Sequence, residues 1–390
     1  MRPGWYQMPN GSNAYWDGGQ WSQPPTGTTV AAGPGTVTSP DFAAAGARVS
    51  DGVRSGLRKA TEGLESIQRK PGTGLGIHDD PTDGLPFIRV QWKSIGSILS
   101  ATWNQVFRKH TTEDLENSLG LSKEDPDPAV TPGPWVFSRV IVIGIALFLV
   151  IYALVLVTAN EKLIPLMLML GAVAVPLGTA LFFLESDTPK NISFFRWMTF
   201  VVLGGVVSIV ITLLLPFFDT LGLGDISAMT APFFEEPAKL AAVILLARGI
   251  KFPWVLNGLV LGAAVGAGFA IIETAGYIYD FADYGVLSMA QERGLWSFGL
   301  HVSWTAVTAA ALWAVKQDKP FAWGMLTDKL FLVPFVIVIL LHALWNSPLN
   351  LGLSVLLNPA LAGVGFILAL TYLAAGLKQY QLARQQGIDA

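Results

Sequence analysis

The sequence predicts an all-α protein: a polytopic transmembrane helical bundle of about eight spans, preceded by a largely disordered cytoplasmic N-terminal region with short helices. Three observations predict it. The chain is 52% hydrophobic and only 14% charged, against roughly 25% charged in an average soluble domain. Its charge is unevenly placed, because residues 1–135 hold 12 Lys+Arg and 14 Asp+Glu while the 255 residues after them hold 13 and 14. From residue 136 onward, long apolar runs alternate with short polar ones. A net charge of −3 offers no basic surface for nucleic acid, and the absence of cysteine excludes disulfides, thiolate metal sites and a cysteine nucleophile.

Taken in order, residues 1–86 are rich in Gly, Pro, Ser and Thr and too poor in aliphatic residues to build a core. They are expected to be disordered and cytoplasmic, with a short polar helix at 53–70. The first twenty residues contain no apolar core of a signal peptide, so the first span is expected to direct insertion. Residues 87–135 read as short amphipathic helices, cytoplasmic or on the membrane surface. Ile95, Ile98, Leu99, Trp103, Val106 and Phe107 recur there at helical spacing, among Arg89, Lys93, Arg108 and Lys109. One reading is a packing helix of a small soluble module; the other is a helix lying on the anionic cytoplasmic leaflet. The stretch beginning at Thr111 follows with a helix N-cap and acids in its first turn.

Residues 136–376 form the membrane domain, with spans expected at 136–157, 163–184, 195–218, 226–247, 253–277, 295–315, 330–347 and 352–376, and 377–390 as a cytoplasmic tail. With both termini cytoplasmic, Arg139, Lys190, Arg196, Arg248, Lys251, Lys316, Lys319, Lys329, Lys378 and Arg384 lie inside, and only Lys162 and Arg293 lie outside. The region carrying the N-terminal helices is expected to be dispensable for the chemistry of the membrane domain.

Charges at membrane depth are expensive unless paired, neutralised or facing water. Glu235, Glu236, Lys239 and Glu273 are the formal charges inside the spans, and His301 and His342 join them. At 1.5 Å per residue, Glu235 and Glu236 lie roughly 14 Å from the outer end of their span, Glu273 roughly 6 Å, His301 about 9 Å and His342 about 8 Å. Four helices therefore contribute to one depth, which permits a shared polar cavity open to the outside. Glu235 and Lys239, at i and i+4, can pair, and Pro237 can kink the helix so that both carboxylates reach one pocket. His342 and Asn346 share a face at the same spacing, while glycines 262, 266 and 268 permit close helix approach. Trp304, Trp313, Tyr277 and Tyr279 read as interface or packing residues, and Glu185, Asp219 and Asp225 as span-end groups.

Two carboxylates and two imidazoles around water suffice for hydrolysis, with a carboxylate as general base and an imidazole or amide stabilising the oxyanion. The same side chains could instead hold a metal. A proton-coupled transporter, with Glu235, Glu236 and Glu273 as a relay, and a non-catalytic membrane scaffold are the alternatives from other classes.

The motifs EEPAK at 235–239, GFAIIETAGY at 268–277, HVSW at 301–304 and LHALWNS at 341–347 resemble those of the PrsW family of intramembrane proteases, relatives of the CAAX prenyl protease and Abi group. The resemblance covers approximately residues 136–376. It implies a protease that cuts a single-span membrane protein in the lipid bilayer near its extracytoplasmic side, in the family's best-known case an anti-sigma factor. Carried over, it makes Glu235 and Glu236 the catalytic pair, completed by His342, Glu273 and His301. Glu235 is then the base, Glu236 and Lys239 position it, and His301, His342 and Asn346 stabilise the oxyanion. If a metal such as Zn2+ is used, Glu236, Glu273, His301 and His342 are its candidate ligands.

Overall fold

A computed structural model describes residues 4–7, 13–16, 21–22, 90–121, 133–187, 189–214, 227–249, 253–280 and 293–386. The chain divides into two units, residues 1–69 and 70–390. The predicted polar helix at 53–70, together with Asp219 and Asp225, lies outside the described residues.

In the first unit, strands β1 (Gly4–Gln7), β2 (Asn13–Trp16) and β3 (Trp21–Ser22) pair antiparallel in the order β1-β2-β3, with Tyr6 opposite Ala14 and Trp16 opposite Trp21. These ten residues are extended within the region read as largely disordered, and the rest of residues 1–86 lies outside the described residues. Trp and Tyr favour extended backbone, and the sequence between the first two strands carries Asn10-Gly11, a hairpin signal.

The second unit is helical. Helix α1 (Trp92–Val106) and α2 (Thr112–Ser118) precede α3 (Val136–Thr158), α4 (Ile164–Glu185) and α5 (Phe194–Leu213, with a π-helical turn at Phe200–Gly204). A single turn, Ser227–Thr230, leads into α6 (Pro232–Leu246), followed by α7 (Val255–Asp280), α8 (His301–Lys316), α9 (Lys329–Trp345) and α10 (Pro348–Gln385). Six segments are long and apolar enough to cross a membrane: Val136–Thr158, Glu161–Glu185, Phe194–Leu213, Val255–Tyr277, Leu295–Lys316 and Leu353–Gln385. The other two expected spans are shorter helices, because Lys329–Trp345 has 17 residues and Pro232–Leu246 has 15 with three ionisable groups.

Helix α7 is the centre of the bundle, and it packs against α4, α5, α8 and α10. Its first four turns, Val255–Ala270, are buried on every side. Composition explains this, since Gly and Ala around the whole circumference let neighbouring backbones approach without a hydrophobic driving force. Gly258, Gly262 and Gly266 form one ridge against α8, where a β-carbon at Gly258 would stand 2.7 Å from Ala309 O. Gly268 faces α5 instead, over the backbone of Val201. Helix α3, in contrast, leaves Val142, Ile143, Val150, Leu156 and Val157 exposed, as a helix against lipid would.

The C-terminal boundary also differs from the expected one at 376, for α10 continues to Gln385. Its last turns are held by the start of α7: Val255 N–H donates to Gln379 Oε1 at 3.1 Å, and Tyr380 packs edge-on to Trp254. An otherwise orphan N–H at a helix start thus gains an acceptor.

At the N-terminal side, α1 and α2 are packed onto the membrane domain. Ile95 and Leu119 are buried in the main core beside Ile192 and Trp197. Glu185, at the end of α4, accepts from Ser118 Oγ at 2.7 Å and from the backbone N–H groups of Trp135, Val136 and Phe137 at 2.9, 2.8 and 2.8 Å. A carboxylate therefore caps the positive end of α3. Lys190 donates to the carbonyls of Ser118, Leu184 and Glu185. Glu185 and Lys190 are consequently structural anchors rather than idle span-end charges.

Candidate active site

The buried ionisable groups converge at one end of the bundle. Glu235, Glu236 and Lys239 lie in the first half of α6, Glu273 near the end of α7, His301 at the start of α8 and His342 near the end of α9. Antiparallel packing of these four helices brings the two N-terminal and two C-terminal positions to a common level.

Helix α6 begins with Pro232 at its first position and continues through Pro237 without interruption. Pro237 has no N–H, so it leaves the preceding turn one backbone bond short beside the two carboxylates. Lys239, fully buried, lies 2.5 Å from Glu236 Oε1 and 4.0 Å from Glu235 Oε2. The expected pairing at i and i+4 is thus the weaker of the two, and the i, i+3 pair is the close one. The Lys239 ammonium also lies 3.0 Å from His301 Nδ1 and 4.4 Å from the centre of the Phe269 ring.

These contacts assign the histidine tautomers. An ammonium can only donate, so His301 Nδ1 accepts and Nε2 carries the proton, directed at Glu273 Oε2 2.8 Å away. Glu236 Oε1 lies 2.8 Å from His342 Nδ1, and the ionised carboxylate can only accept. His342 Nε2 is then left with a free lone pair, 3.6 Å from Glu235 Oε2. Among the described residues, His342 Nε2, Glu235 Oε2, Glu236 Oε2 and Glu273 Oε2 of this cluster are buried without a hydrogen bond that meets ordinary geometry. Buried polar atoms are seldom left so, and the facing pair of Glu235 Oε2 and His342 Nε2 marks a place that suits a guest.

Aromatic rings wall the cluster. The His301 and His342 rings lie 4.9 Å apart, Trp304 lies 4.7 Å from His342, and Phe269 lies 5.2 Å from His301. Trp304, expected to be an interface or packing residue, is fully buried against both imidazoles. Its i, i+3 spacing from His301 was the available signal.

Arg293 belongs to the same network. Its guanidinium lies 3.5 Å from Glu273 Oε1 and 3.7 Å from the centre of the Tyr277 ring. Sequence reasoning left it as an outer-loop charge. A signal was present, because Arg293 and Lys162 were the only basic residues on the outer side. Asn346 is not brought to the cluster, since its amide donates to Ala228 O at 3.1 Å. The chain of contacts runs Arg293, Glu273, His301, Lys239, Glu236, His342, and ends at Glu235. Side-chain exposure is nil at Lys239 and His342 and rises to 10% at Glu235, 13% at Glu273 and 20% at Arg293, which marks the open side.

Counted formally, three carboxylates face two permanent cations. Glu236 is in contact with Lys239 and Glu273 lies nearest Arg293, so Glu235 is the carboxylate short of a cation. The donor set also fits a divalent metal. Ligand atoms of Glu235, His301 and His342 lie within 4.8 Å of one another. Three such ligands plus water make a catalytic zinc site; His342 Nε2 and Glu235 Oε2 are free to ligate, whereas His301 could do so only by exchanging its Lys239 contact for the ion. The set differs from the one expected from sequence, because the nearest contacts of Glu236 and Glu273 are already Lys239, His342, His301 and Arg293.

Comparison with known proteins finds that residues 193–375 match the model of the PrsW family, described as intramembrane metalloproteases. The match runs from α5 into α10 and includes all seven residues of the network, leaving α3 and α4 outside it. No curated protein and no solved structure matches.

Proposed function

We propose that this chain, whose residues 193–375 match the PrsW family intramembrane metalloprotease model, hydrolyses a peptide bond of a single-span membrane protein, with water activated by Glu235. It is a peptidase and a multi-pass membrane protein whose substrate is itself a membrane protein. The observation that carries the mechanism is the facing pair of unpartnered atoms, Glu235 Oε2 and His342 Nε2, 3.6 Å apart. That gap suits a water about 2.8 Å from both, accepting no help from the rest of the bundle.

In the proposed reaction this water donates one proton towards Glu235 and the other towards the His342 lone pair, which fixes the direction of its attacking oxygen. Glu235 takes the proton as the C–O bond forms, and the scissile carbonyl becomes an oxyanion. Lys239, 4.0 Å from Glu235 Oε2, is the cation placed to stabilise that oxyanion, in a site closed by Phe269 and Trp304 where a charge-assisted bond counts for more than in water. Glu235 then returns its proton to the departing amine. His342 serves as an acceptor and an orienting group rather than an oxyanion donor, and Glu236 and Glu273 hold the two imidazoles in their tautomers. Glu235, His301 and His342 are the residues that would hold a divalent ion such as Zn2+, which would supply Lewis-acid polarisation of the carbonyl and take over the activation of water from a free Glu235.

Placement follows from the same elements. Eight helices crossing the bilayer, with 136–376 as the membrane domain and both termini cytoplasmic, put the cluster near the extracytoplasmic side, where a single-span substrate of the anti-sigma-factor kind would be cut. The basic residues support this orientation, ten inside against two outside. The test compares membrane proteomes of cells producing the wild type and Glu235→Gln at equal levels. A single-span protein that accumulates uncut in the variant, with a matching new terminus in the wild type, is the expected result; identical proteomes in growth and under stress would reject the reading.

A further inference from the structure

Helix α1 presents three separate faces. At about 100° per residue, Trp92, Leu99 and Trp103 fall within an arc of about 40°. Ile95, Ile98 and Thr102 occupy a second arc, and Lys93, Ser97 and Ser100 a third. The second face is the packed one: Ile95 and Thr102 are buried and Ile98 lies against the main core. The first is apolar yet open, with Trp92 64% exposed, Leu99 44%, Trp103 66% and Phe107, just past the helix end, 72%. A soluble helix that has already buried one apolar face has no reason to carry a second one of this size.

The helix is tied to the end of a membrane span. Arg139, in the first turn of α3, donates to Arg108 O at 3.0 Å, and its guanidinium covers the Trp135 ring at 4.3 Å. His110 stacks on the other side of Trp135 at 3.9 Å and shares a hydrogen bond with Gln105 O at 2.8 Å. The exposed apolar face thus sits beside the point where α3 leaves its first turn, which is where lipid headgroups meet acyl chains. Lys93, Arg108 and Lys109 are exposed around it. Tryptophan is the residue type that gathers at this depth, and cations beside it match anionic headgroups.

We propose that α1 lies in the headgroup region of the leaflet at the N-terminal end of α3, inserting Trp92, Leu99, Trp103 and Phe107 among anionic phospholipids while Ile95 and Thr102 hold it to the membrane domain. The proposal takes up the membrane-surface reading of the sequence for one face of the helix, while another face packs on the main core. The proposal stands independently of the peptidase mechanism, and it gives α1 a role in setting how the membrane domain sits in the bilayer.

The absence of native cysteine makes the test direct. Leu99→Cys, Trp103→Cys and Ser97→Cys are each introduced into the full chain, spin-labelled, and reconstituted in nanodiscs containing phosphatidylglycerol. Collision with oxygen, which concentrates in lipid, is compared with collision with a water-soluble nickel chelate. The ratio of oxygen to nickel accessibility is expected to be several-fold higher at positions 99 and 103 than at 97. In a Lys93→Glu, Arg108→Glu, Lys109→Glu background, or in pure phosphatidylcholine, that contrast should shrink. Equal nickel accessibility at all three positions would place the face in water and overturn the proposal. Shielding of 99 and 103 from both reagents would do so too, by showing a protein surface, such as a second copy, over the face.

Discussion

Replacing Lys239 by methionine removes the one ammonium that the buried cluster is built around. Lys239 is fully buried, 2.5 Å from Glu236 Oε1 and 3.0 Å from His301 Nδ1, and Glu236 is itself 1% exposed. Methionine fills much the same volume, so the packing against Phe269 is largely kept and the change is mainly electrostatic. Removing one partner of a buried ion pair leaves the other charge uncompensated, which costs about 3–5 kcal/mol. The remaining contact of Glu236 is a single imidazole, which cannot replace an ammonium, so the loss should lie in that range. The companion variant Glu236→Gln leaves Lys239 with a weaker neighbour in Glu235, 4.0 Å away. The double variant removes both charges and should be less destabilised than the sum of the two single ones, by about 2–3 kcal/mol. Equilibrium unfolding in mixed micelles of a mild detergent and dodecyl sulfate reads all four proteins of the cycle. A loss below about 1 kcal/mol for Lys239→Met, or strict additivity in the double variant, would show that the pair is not the charge balance of the site.

Three further outcomes follow from the geometry. Gly266→Ala places a β-carbon against the His301 carbonyl and must push the start of α8 outward, so cleavage should fall roughly 100-fold while the protein stays folded by circular dichroism. Glu185→Gln keeps the shape but loses the charge that accepts four bonds, so about 2 kcal/mol of stability should vanish, read as a lower unfolding midpoint. Asp187 lies just beyond α4, 1% exposed with neither oxygen partnered, and burial pushes its carboxyl from an ordinary 3.8 up to about 7 against the opposing pull of Lys190. Its native form binds the proton more tightly than its unfolded form, so stability falls as pH rises from about 4 to about 7 and is level above that. Asp187→Asn should remove this part of the slope and stabilise the protein at pH 8 more than at pH 5, as melting-temperature profiles would report.

The helical class and the residues of the cluster were legible because a bilayer makes each buried charge conspicuous. Glu235, Glu236, Lys239, Glu273, His301 and His342 stood out for that reason, and the depth argument placed them at a common level without knowing any rotation. What depth could not give was rotation itself. Lys239 therefore was matched with Glu235 when Glu236 is its closer partner, and Asn346 was grouped with His342 although it turns to Ala228. Arg293 was read from its position in a loop, and only tertiary contact shows it beside Glu273 and Tyr277. The N-terminal helices taught a different lesson. Their composition is that of soluble helices and gives no sign of what they touch, whereas Ser118 bonds to Glu185 and Ile95 enters the main core. The short strands at Gly4–Gln7, Asn13–Trp16 and Trp21–Ser22 were not read from the sequence, because a composition poor in aliphatic residues hid their Trp and Tyr pattern.

The central claim is that Glu235 activates a water that cuts a peptide bond within the bilayer. The measurement that meets it most directly uses proteoliposomes holding the protein and a single-span substrate found by the proteome comparison, in buffer enriched in oxygen-18 water. The wild type should yield a fragment whose new C-terminal carboxylate carries the heavy oxygen, at a rate roughly 100-fold or more above that of a correctly folded Glu235→Gln. Cleavage by Glu235→Gln at a rate comparable with the wild type would contradict the account, for the carboxylate would then have no part in activating the water.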